Sequence, residues 1–204
     1  MADADRLSDR SVLVADHQRA GRGRLDRRWD APPGSNLLVS MLFHQVPDSP
    51  GELMRRVGLA ALEACGRVSG ARAQLKWPND LVVDGAKLGG ILAERVPSGP
   101  VVVGLGLNVG WAPPGAARLG EGIDPLAVLA AMLVAYDELP EDIFERYRSR
   151  LVTLGQEVRV ELPASAIEGR ALDVERDGRL LVLDRVGVRH LLDTGDVVHL
   201  RPRG

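Results

Sequence analysis

The order of apolar and polar positions divides the first part of the chain into segments of recognisable type. Residues 36–43 are apolar at nearly every position, which predicts a strand buried on both faces. Ser49 and Glu52 have the spacing of a capping box with Pro50 at the first helical position, and they predict a helix that ends near Cys65. Further strands are predicted at residues 11–16, 73–77, 87–96 and 101–109.

Two more helices are predicted before the pattern changes. Asp124-Pro125 opens a strongly apolar run at residues 126–136, which predicts a fully buried helix. Pro140 opens another helix, predicted to end near Leu151. From Gly155 onward the apolar runs become short and closely spaced, which is typical of small β domains.

The last part of the chain is predicted to be all β. Turns at Asp177-Gly178 and Gly195-Asp196 separate short apolar runs, and about five strands in roughly fifty residues predict a small β-barrel. These strands are predicted at residues 157–162, 171–176, 180–183, 189–192 and 197–200. The predicted fold class is therefore α/β of the α+β kind: a mixed β-sheet packed with helices in residues 1–154, then a small barrel in residues 155–204.

Composition excludes several classes of protein. The 204 residues are 45% hydrophobic and 26% charged, as in globular proteins. A single cysteine, Cys65, excludes an intramolecular disulfide framework and a cysteine-based zinc cluster. The net charge of −2 disfavours a general binder of polyanions. The longest apolar stretch is far shorter than the ~20 residues that span a bilayer, and the polar first ten residues contain no signal peptide. We therefore expect a cytoplasmic protein that does not contact membranes.

The motifs of common nucleophilic and metal-dependent hydrolases are absent from the sequence. It contains no Walker A loop, no GxSxG and no HExxH, and its four histidines are scattered. Cys65 lies among apolar residues of a predicted helix, which is typical of an inert core thiol. A reaction that needs charge stabilisation and positioning, without an enzyme nucleophile, remains open.

Arginine replaces lysine almost everywhere in this chain. Of the 26 Lys and Arg residues, only Lys76 and Lys87 are lysines, and asparagine occurs only at Asn36, Asn79 and Asn108. With so few residues, chance explains such a bias too. The bias nevertheless marks positions where lysine or asparagine chemistry is required.

A basic segment lies between His17 and Trp29. It holds five arginines against one aspartate, together with Gly21 and Gly23, which let the backbone approach a ligand closely. Arginine forks suit carboxylate and phosphate oxygens, and Trp29 can stack on a planar base. Two alternatives stay open, a solvated surface loop and an arm that binds nucleic acid.

Three further motifs combine polar residues or glycines with predicted strands. In residues 76–80 (KWPND), an aspartate on a fixed turn can hold magnesium or orient a lysine, although a plain turn is the alternative. In residues 87–92 (KLGGIL), a lysine suited to phosphoryl charge stands beside two glycines. In residues 104–109 (GLGLNV), strand glycines precede an asparagine whose amide can read an adenine edge. Tight packing or a bulge is the alternative for the last two.

Taken in order, these motifs resemble the catalytic domain of biotin protein ligases. The matching segments are HQRAGRGR, RRW, KWPND, KLGGIL and GLGLNV. The small β domain is similar to the SH3-like C-terminal domain of that family, and the resemblance implies a class II synthetase-like ligase domain before it. It also implies biotin and ATP as substrates and Mg²⁺ as a cofactor. Such enzymes form biotinyl-5′-AMP and then transfer biotin to a lysine of the biotin carboxyl carrier protein of acetyl-CoA carboxylase.

The resemblance also implies roles for individual residues. Lys87, Arg22 and Asp80 are implied to be catalytic, and Asp80 is also implied to be the metal ligand. Gln18 would bind biotin, Trp29 would enclose the adenine and Asn108 would read it. The full set of residues implied to bind substrates is Gln18, Arg22, Gly23, Arg24, Trp29, Asn79, Lys87, Gly89, Gly90 and Asn108.

The chain also departs from the family pattern. No Ser-Thr-Asn segment precedes the basic segment, so the sequence looks truncated at its N-terminus, either because the start codon is placed too late or because the chain is genuinely shorter. A ligase remnant that binds adenylate or the carrier domain without turnover is therefore the alternative to an active ligase. Arg19 and residues 116–119 also differ from the usual pattern. No helix-turn-helix is present, so DNA binding is not expected, and a homodimer is left open.

Overall fold

The computed structural model describes residues 6–24, 27–49, 51–96 and 99–200, and the strands in these ranges form two antiparallel sheets. The larger sheet has the strand order β1-β2-β6-β5-β4-β3. Its strands are β1 (Val12–Ala15), β2 (Leu37–Phe43), β3 (Gln74–Lys76), β4 (Asp80–Val83), β5 (Ala86–Arg95) and β6 (Val101–Leu107). The predicted strands at residues 36–43, 87–96 and 101–109 are confirmed to within about two residues.

One face of the larger sheet is covered by helices and the other is open. In β6, buried residues alternate with half-buried ones, so Val103, Leu105 and Leu107 face the core. Gly104 and Gly106 point to the opposite face. The core side packs against helix α1 (Gly51–Ser69), whose inward face is almost fully apolar. The open side of β5 and β6 is therefore free to form a binding surface.

Helix α2 (Pro125–Asp137) begins as predicted, with the Asp124 carboxylate accepting a hydrogen bond from the backbone N–H of Leu126 at 2.9 Å. The prediction that it is fully buried is wrong, because Leu126 is 58% exposed and Val134 is 52% exposed. The helix lies outside α1 and packs against it on one side, so only that side is covered. Helix α3 (Phe144–Arg150) is shorter than predicted and begins after Pro140.

The smaller sheet has the order β10-β9-β8-β7-β11. Its strands are β7 (Glu157–Leu162), β8 (Ser165–Val174), β9 (Leu180–Asp184), β10 (Arg189–Leu192) and β11 (Asp196–His199). The five predicted strands are confirmed, although β8 begins earlier than predicted because residues 165–170 continue the pairing with β7. Val158 and Val160 of β7 are fully buried, while Glu157, Arg159 and Glu161, which alternate with them, are exposed.

Hydrogen bonds join the two sheets. The indole Nε1 of Trp77 donates to the carbonyl oxygen of Gly178 at 2.8 Å, and the backbone N–H of Trp77 donates to Thr153 Oγ1 at 3.0 Å. The backbone N–H of Val152 donates to the carbonyl oxygen of Leu75 at 2.9 Å. The turn that follows β3 is therefore fixed by the second sheet. Among the described residues, each helix is too short or too polar to cross a bilayer.

Candidate active site

A cavity of about 1050 Å³ lies on the open face of the larger sheet. Its floor is formed by β5 and β6, and its rim includes the basic segment and strand β11. We call the described residues 21–24 and 27–29 the arginine loop. Apart from Gly89, every residue that the sequence analysis assigned to a site lines this cavity. Five separate motifs are thus brought together at one surface.

Lys87 and Asp80 form an ion pair at the cavity wall. The ammonium Nζ of Lys87 donates to Oδ1 of Asp80 at 2.6 Å. Asp80 is the first residue of β4, and it lies opposite Gly90 of β5 in the register of the two strands. A Cβ at Gly90 would lie 3.4 Å from Nζ, so the lysine crosses directly above that glycine. A compact positive charge is therefore held at a fixed place over the sheet.

Trp29 explains the glycine at position 106. A Cβ at Gly106 would lie 2.6 Å from Cε2 and 2.7 Å from Nε1 of Trp29. Only a glycine leaves room for the indole on β6. Of the two structural explanations given for the glycines of GLGLNV, a bulge and tight packing, Gly106 therefore fits tight packing. Lys87 Nζ lies 5.8 Å from the ring centroid. The indole Nε1 is buried without a hydrogen-bond partner in the described part of the chain, so a donor remains available beside the cavity.

The arginine loop has a defined backbone. The N–H of Trp29 donates to the carbonyl oxygen of Gly21 at 3.0 Å, and the N–H of Gly23 donates to that of Arg27 at 2.6 Å. Arg22 and Arg28 form an isolated antiparallel bridge. A Cβ at Gly21 would overlap the carbonyl oxygen of Trp29, so glycine is required there. The loop therefore folds back on itself and carries Trp29 to the cavity.

Three arginines of this loop pair with other elements. Arg22 forms an ion pair with Glu94 of β5 at 3.0 Å. Arg24 donates to Asn79 Oδ1 at 3.4 Å. Arg24 and Arg27 also contact the beginning of β11 in the smaller sheet. The charges are thus placed by partners on both sheets.

The two asparagines that follow strands have different surroundings. Asn79 donates from Nδ2 to the carbonyl oxygen of Ile91 at 2.8 Å, which fixes the KWPND turn to β5. Asn108 is 2% exposed; it accepts from Asn36 Nδ2 at 3.3 Å and donates to the carbonyl oxygen of Ala117 at 3.0 Å. Its amide thus supports the chain after β6, and its role in reading adenine stays a prediction.

Gly89 and Gln18 complete the assigned residues. A Cβ at Gly89 would lie 2.8 Å from the carbonyl oxygen of Gly106, so this glycine serves the close pairing of β5 with β6. Its predicted contact with biotin stays a prediction. Gln18 lines the cavity next to Gly21.

Sequence reasoning missed the contribution of the smaller sheet. Glu161, Asp196 and Val198 line the cavity, and Glu94 pairs with Arg22. The sequence marked Gly195-Asp196 only as a turn, which is its local structure. No local pattern indicates that this turn meets a loop about 170 residues earlier in the chain.

The site holds few groups that could bind a metal. In the described ranges, no cluster of three His, Cys, Asp or Glu side chains is present. Oδ1 of Asp80 is already engaged by Lys87. At the KWPND turn, Asp80 supplies a single carboxylate, which suits magnesium only where ATP phosphates supply further oxygen ligands.

Cys65 is unsuited to nucleophilic chemistry. Its side chain is fully buried in α1, and burial raises the pKa of the thiol to about 12. It does not line the cavity. The interpretation of Cys65 as an inert core thiol agrees with this placement.

Two family descriptions match this chain, one over each part. The Biotin/lipoate A/B protein ligase family matches residues 3–108, and the Biotin protein ligase C terminal domain matches residues 153–200. These matches define the class of protein as the biotin and lipoate protein ligases. Biotin--[acetyl-CoA-carboxylase] ligase of Mycobacterium tuberculosis is 38% identical over 95% of this chain and 80% of its own length. The chain belongs to the biotin protein ligase family.

Other relatives agree with this assignment. The bifunctional ligase/repressor BirA of Bacillus subtilis is 26% identical to this chain. The match covers 89% of this chain and 64% of the length of BirA. Biotin protein ligase from Aquifex aeolicus in complex with biotin and ATP has a TM-score of 0.80 and 28% identity, covering 95% of this chain and 91% of that chain. The predicted fold class, a ligase fold followed by an SH3-like part, is confirmed by these similarities.

Proposed function

We propose that this protein is a biotin–[biotin carboxyl-carrier protein] ligase. It activates biotin with ATP to biotinyl-5′-AMP and transfers biotin to a lysine of the carrier protein of acetyl-CoA carboxylase. The observation that carries the proposal is the Lys87–Asp80 pair, held above a glycine-lined floor next to the indole of Trp29. The proposal is supported by family membership and by the biotin and ATP bound in the similar Aquifex aeolicus structure.

In the first step, an oxygen of the biotin carboxylate attacks the α-phosphorus of ATP. Pyrophosphate leaves with the electron pair of the broken P–O bond. Lys87 stabilises the negative charge that develops on the phosphoryl oxygens, since its ammonium is a compact donor that can follow that charge. Arg22 and Arg24 stand on the same cavity wall and assist by binding carboxylate or phosphate oxygens.

In the second step, the ε-amine of the carrier lysine attacks the carbonyl carbon of the mixed anhydride. An amide forms, and AMP leaves with the electron pair of the broken C–O bond. Asp80 is the carboxylate next to Lys87, and it orients an incoming amine when Lys87 turns to the phosphate. Neither step needs an enzyme nucleophile, in keeping with the buried position of Cys65.

Further assignments belong to the same proposal. Gln18 and Gly90 contact biotin, and Gly89 supports that contact through the close pairing of β5 with β6. Trp29 and Asn108 enclose the adenine. Asn79 and Asp80 serve the phosphate region, where magnesium enters as the counter-ion of ATP. Residues 1–154 form the catalytic domain and residues 155–204 the SH3-like domain; the C-terminal family match at residues 153–200 supports that division. The proposed protein partner is a biotin carboxyl carrier domain. Neither DNA nor a membrane is proposed as a partner.

Biotin-dependent exchange between ATP and pyrophosphate tests the proposed function. We expect Lys87→Arg to lose at least about tenfold in exchange rate although the charge is kept, because the planar guanidinium is larger and is directed differently. Arg95→Lys is the matched control, since it makes the reverse change at the exposed end of the same strand, away from the cavity.

Two results would count against this proposal. Absence of exchange by the parent protein at high enzyme concentration would favour the alternative, a binding protein without turnover. Exchange by Lys87→Arg at a rate within a few-fold of the parent would contradict the role given to Lys87, but not the proposed function as a whole.

A further inference from the structure

The smaller sheet lines the cavity from β7 and β11, and one short segment at the beginning of β11 contacts the arginine loop. Thr194 and Gly195 form the turn before β11, and Asp196 is the first residue of that strand. Asp196 lines the cavity together with residues of the arginine loop. We call residues 194–196 the β11 entry; its last residue, Asp196, belongs both to the second sheet and to the cavity wall.

Arg24 is held by the β11 entry on one side and by the larger sheet on the other. Its Nη2 donates to Thr194 Oγ1 at 2.7 Å, and its Nη1 donates to the carbonyl oxygen of Gly195 at 3.2 Å. The same Nη1 lies 3.4 Å from Asn79 Oδ1, next to the Lys87–Asp80 pair. These three acceptors, which lie beside both sheets, restrict the rotamers of the long Arg24 side chain. Its position is therefore fixed before a ligand binds.

Arg27 links the same segment to the backbone of the loop. Its guanidinium forms an ion pair with Asp196, whose side chain is only 21% exposed. Its carbonyl oxygen accepts the hydrogen bond from the N–H of Gly23, the residue before Arg24. Asp196 thus acts on Arg24 indirectly, through the place it gives to Arg27.

We propose that Asp196 and Thr194 are positioning residues of the substrate cavity. They hold the arginine loop so that Arg24 lies next to Asn79, where substrate phosphate or carboxylate oxygens are bound. This inference rests on the proposed function. It assigns to the smaller sheet an indirect share in substrate binding, through two side chains that position the arginine loop.

The test compares Asp196→Asn with Asp193→Asn, which removes the same charge from an exposed position three residues earlier. Because a prepositioned arginine contributes to substrate binding, Asp196→Asn should raise the KM for ATP or biotin in the exchange reaction about threefold to fivefold. The kcat and the thermal unfolding midpoint should stay close to those of Asp193→Asn. Equal KM values for the two variants would overturn the proposal.

A double-mutant cycle tests whether Asp196 acts through Arg27. Arg27→Gln should raise KM by a similar factor, and the double variant Arg27→Gln with Asp196→Asn should be no worse than either single variant. Effects that multiply in the double variant would contradict the pathway. Thr194→Val removes the other contact, and a further rise in KM on top of Asp196→Asn is expected.

A second readout does not depend on catalysis. Trypsin cleavage after Arg24 and Arg27, followed by mass spectrometry on the folded full-length chain, should be faster in Asp196→Asn than in Asp193→Asn. Equal cleavage rates would refute the positioning role. If the parent protein shows no exchange, the proposed function fails, and the cleavage rates alone decide the present inference.

Discussion

At the scale of single residues, the structure gives physical reasons for the glycines of two motifs. Gly106 leaves room for Trp29, and Gly89 lets β5 approach β6 closely. Gly90 lies beneath the lysine that pairs with Asp80. The sequence could predict that something packs on these strands, because glycine is unfavourable there otherwise. It could not predict which partner packs on each one, since that depends on a loop distant in the chain.

Gly106→Ala tests the contact with Trp29. The added methyl group would overlap the indole, so we expect displacement of Trp29 and a loss of at least about tenfold in exchange activity, with the fold retained. Gly104→Ala is the matched control, because its Cβ would meet Leu92 at an ordinary 3.6 Å on the same strand face. Similar exchange rates in the two variants would argue against a role for this packing.

At the scale of elements, the apolar runs predicted most strands and the beginnings of two helices. The error on α2 has a simple cause: a run of apolar residues indicates burial, but the helix has only one neighbouring helix to cover it. The chain after β6 was less predictable. Asn36, noted only for its scarcity as a residue type, accepts the backbone N–H groups of Val109 at 2.9 Å and Trp111 at 3.2 Å.

Asn36→Ala should therefore destabilise the protein. It leaves two backbone donors without their acceptor, so we expect a loss of about 2–4 kcal/mol in the free energy of unfolding. Ser35→Ala is the control at the neighbouring position, where an exposed hydroxyl is lost and the change should stay within about 0.5 kcal/mol. Urea unfolding measures both. Equal unfolding midpoints for the two variants would contradict the anchoring role of Asn36.

At the scale of the whole molecule, the two sheets form one structure around the cavity. The five motifs located the larger sheet's share of the site except for Glu94, which lies outside them. The share of the smaller sheet was not predictable, because the β11 entry meets the arginine loop only through the packing of one sheet against the other. Trp77, Thr153 and Gly178 join the sheets by hydrogen bonds, so this relation is part of the fold.

His199 of β11 gives the stability of this arrangement a pH dependence. Burial, and to a smaller extent the nearby charge of Lys76, lowers the pKa of His199, and its Nε2 is buried without a partner in the described ranges. In the unfolded chain His199 binds a proton below about pH 6.5, whereas in the folded state it binds one only at lower pH. The free energy of unfolding should therefore fall as the pH falls through that value.

The measurement is urea unfolding between pH 7.5 and 5. His199→Gln should flatten the dependence of the unfolding free energy on pH, by at most about 1.4 kcal/mol per pH unit. His17→Gln, at an exposed position, is the control. A pH profile for His199→Gln that is parallel to the parent's would show that another group causes the dependence.

The place of Trp29 gives the protein a built-in optical reporter. Of its three tryptophans, Trp29 lies on the cavity wall, with Lys87 5.8 Å from its ring, whereas Trp77 is buried where the sheets meet. Emission from Trp29 responds to a ligand that enters beside the indole, while emission from Trp77 responds to separation of the sheets. The emission that is lost in Trp29→Phe therefore reports occupation of the cavity, and the emission that is lost in Trp77→Phe reports loosening of the molecule, without an added dye.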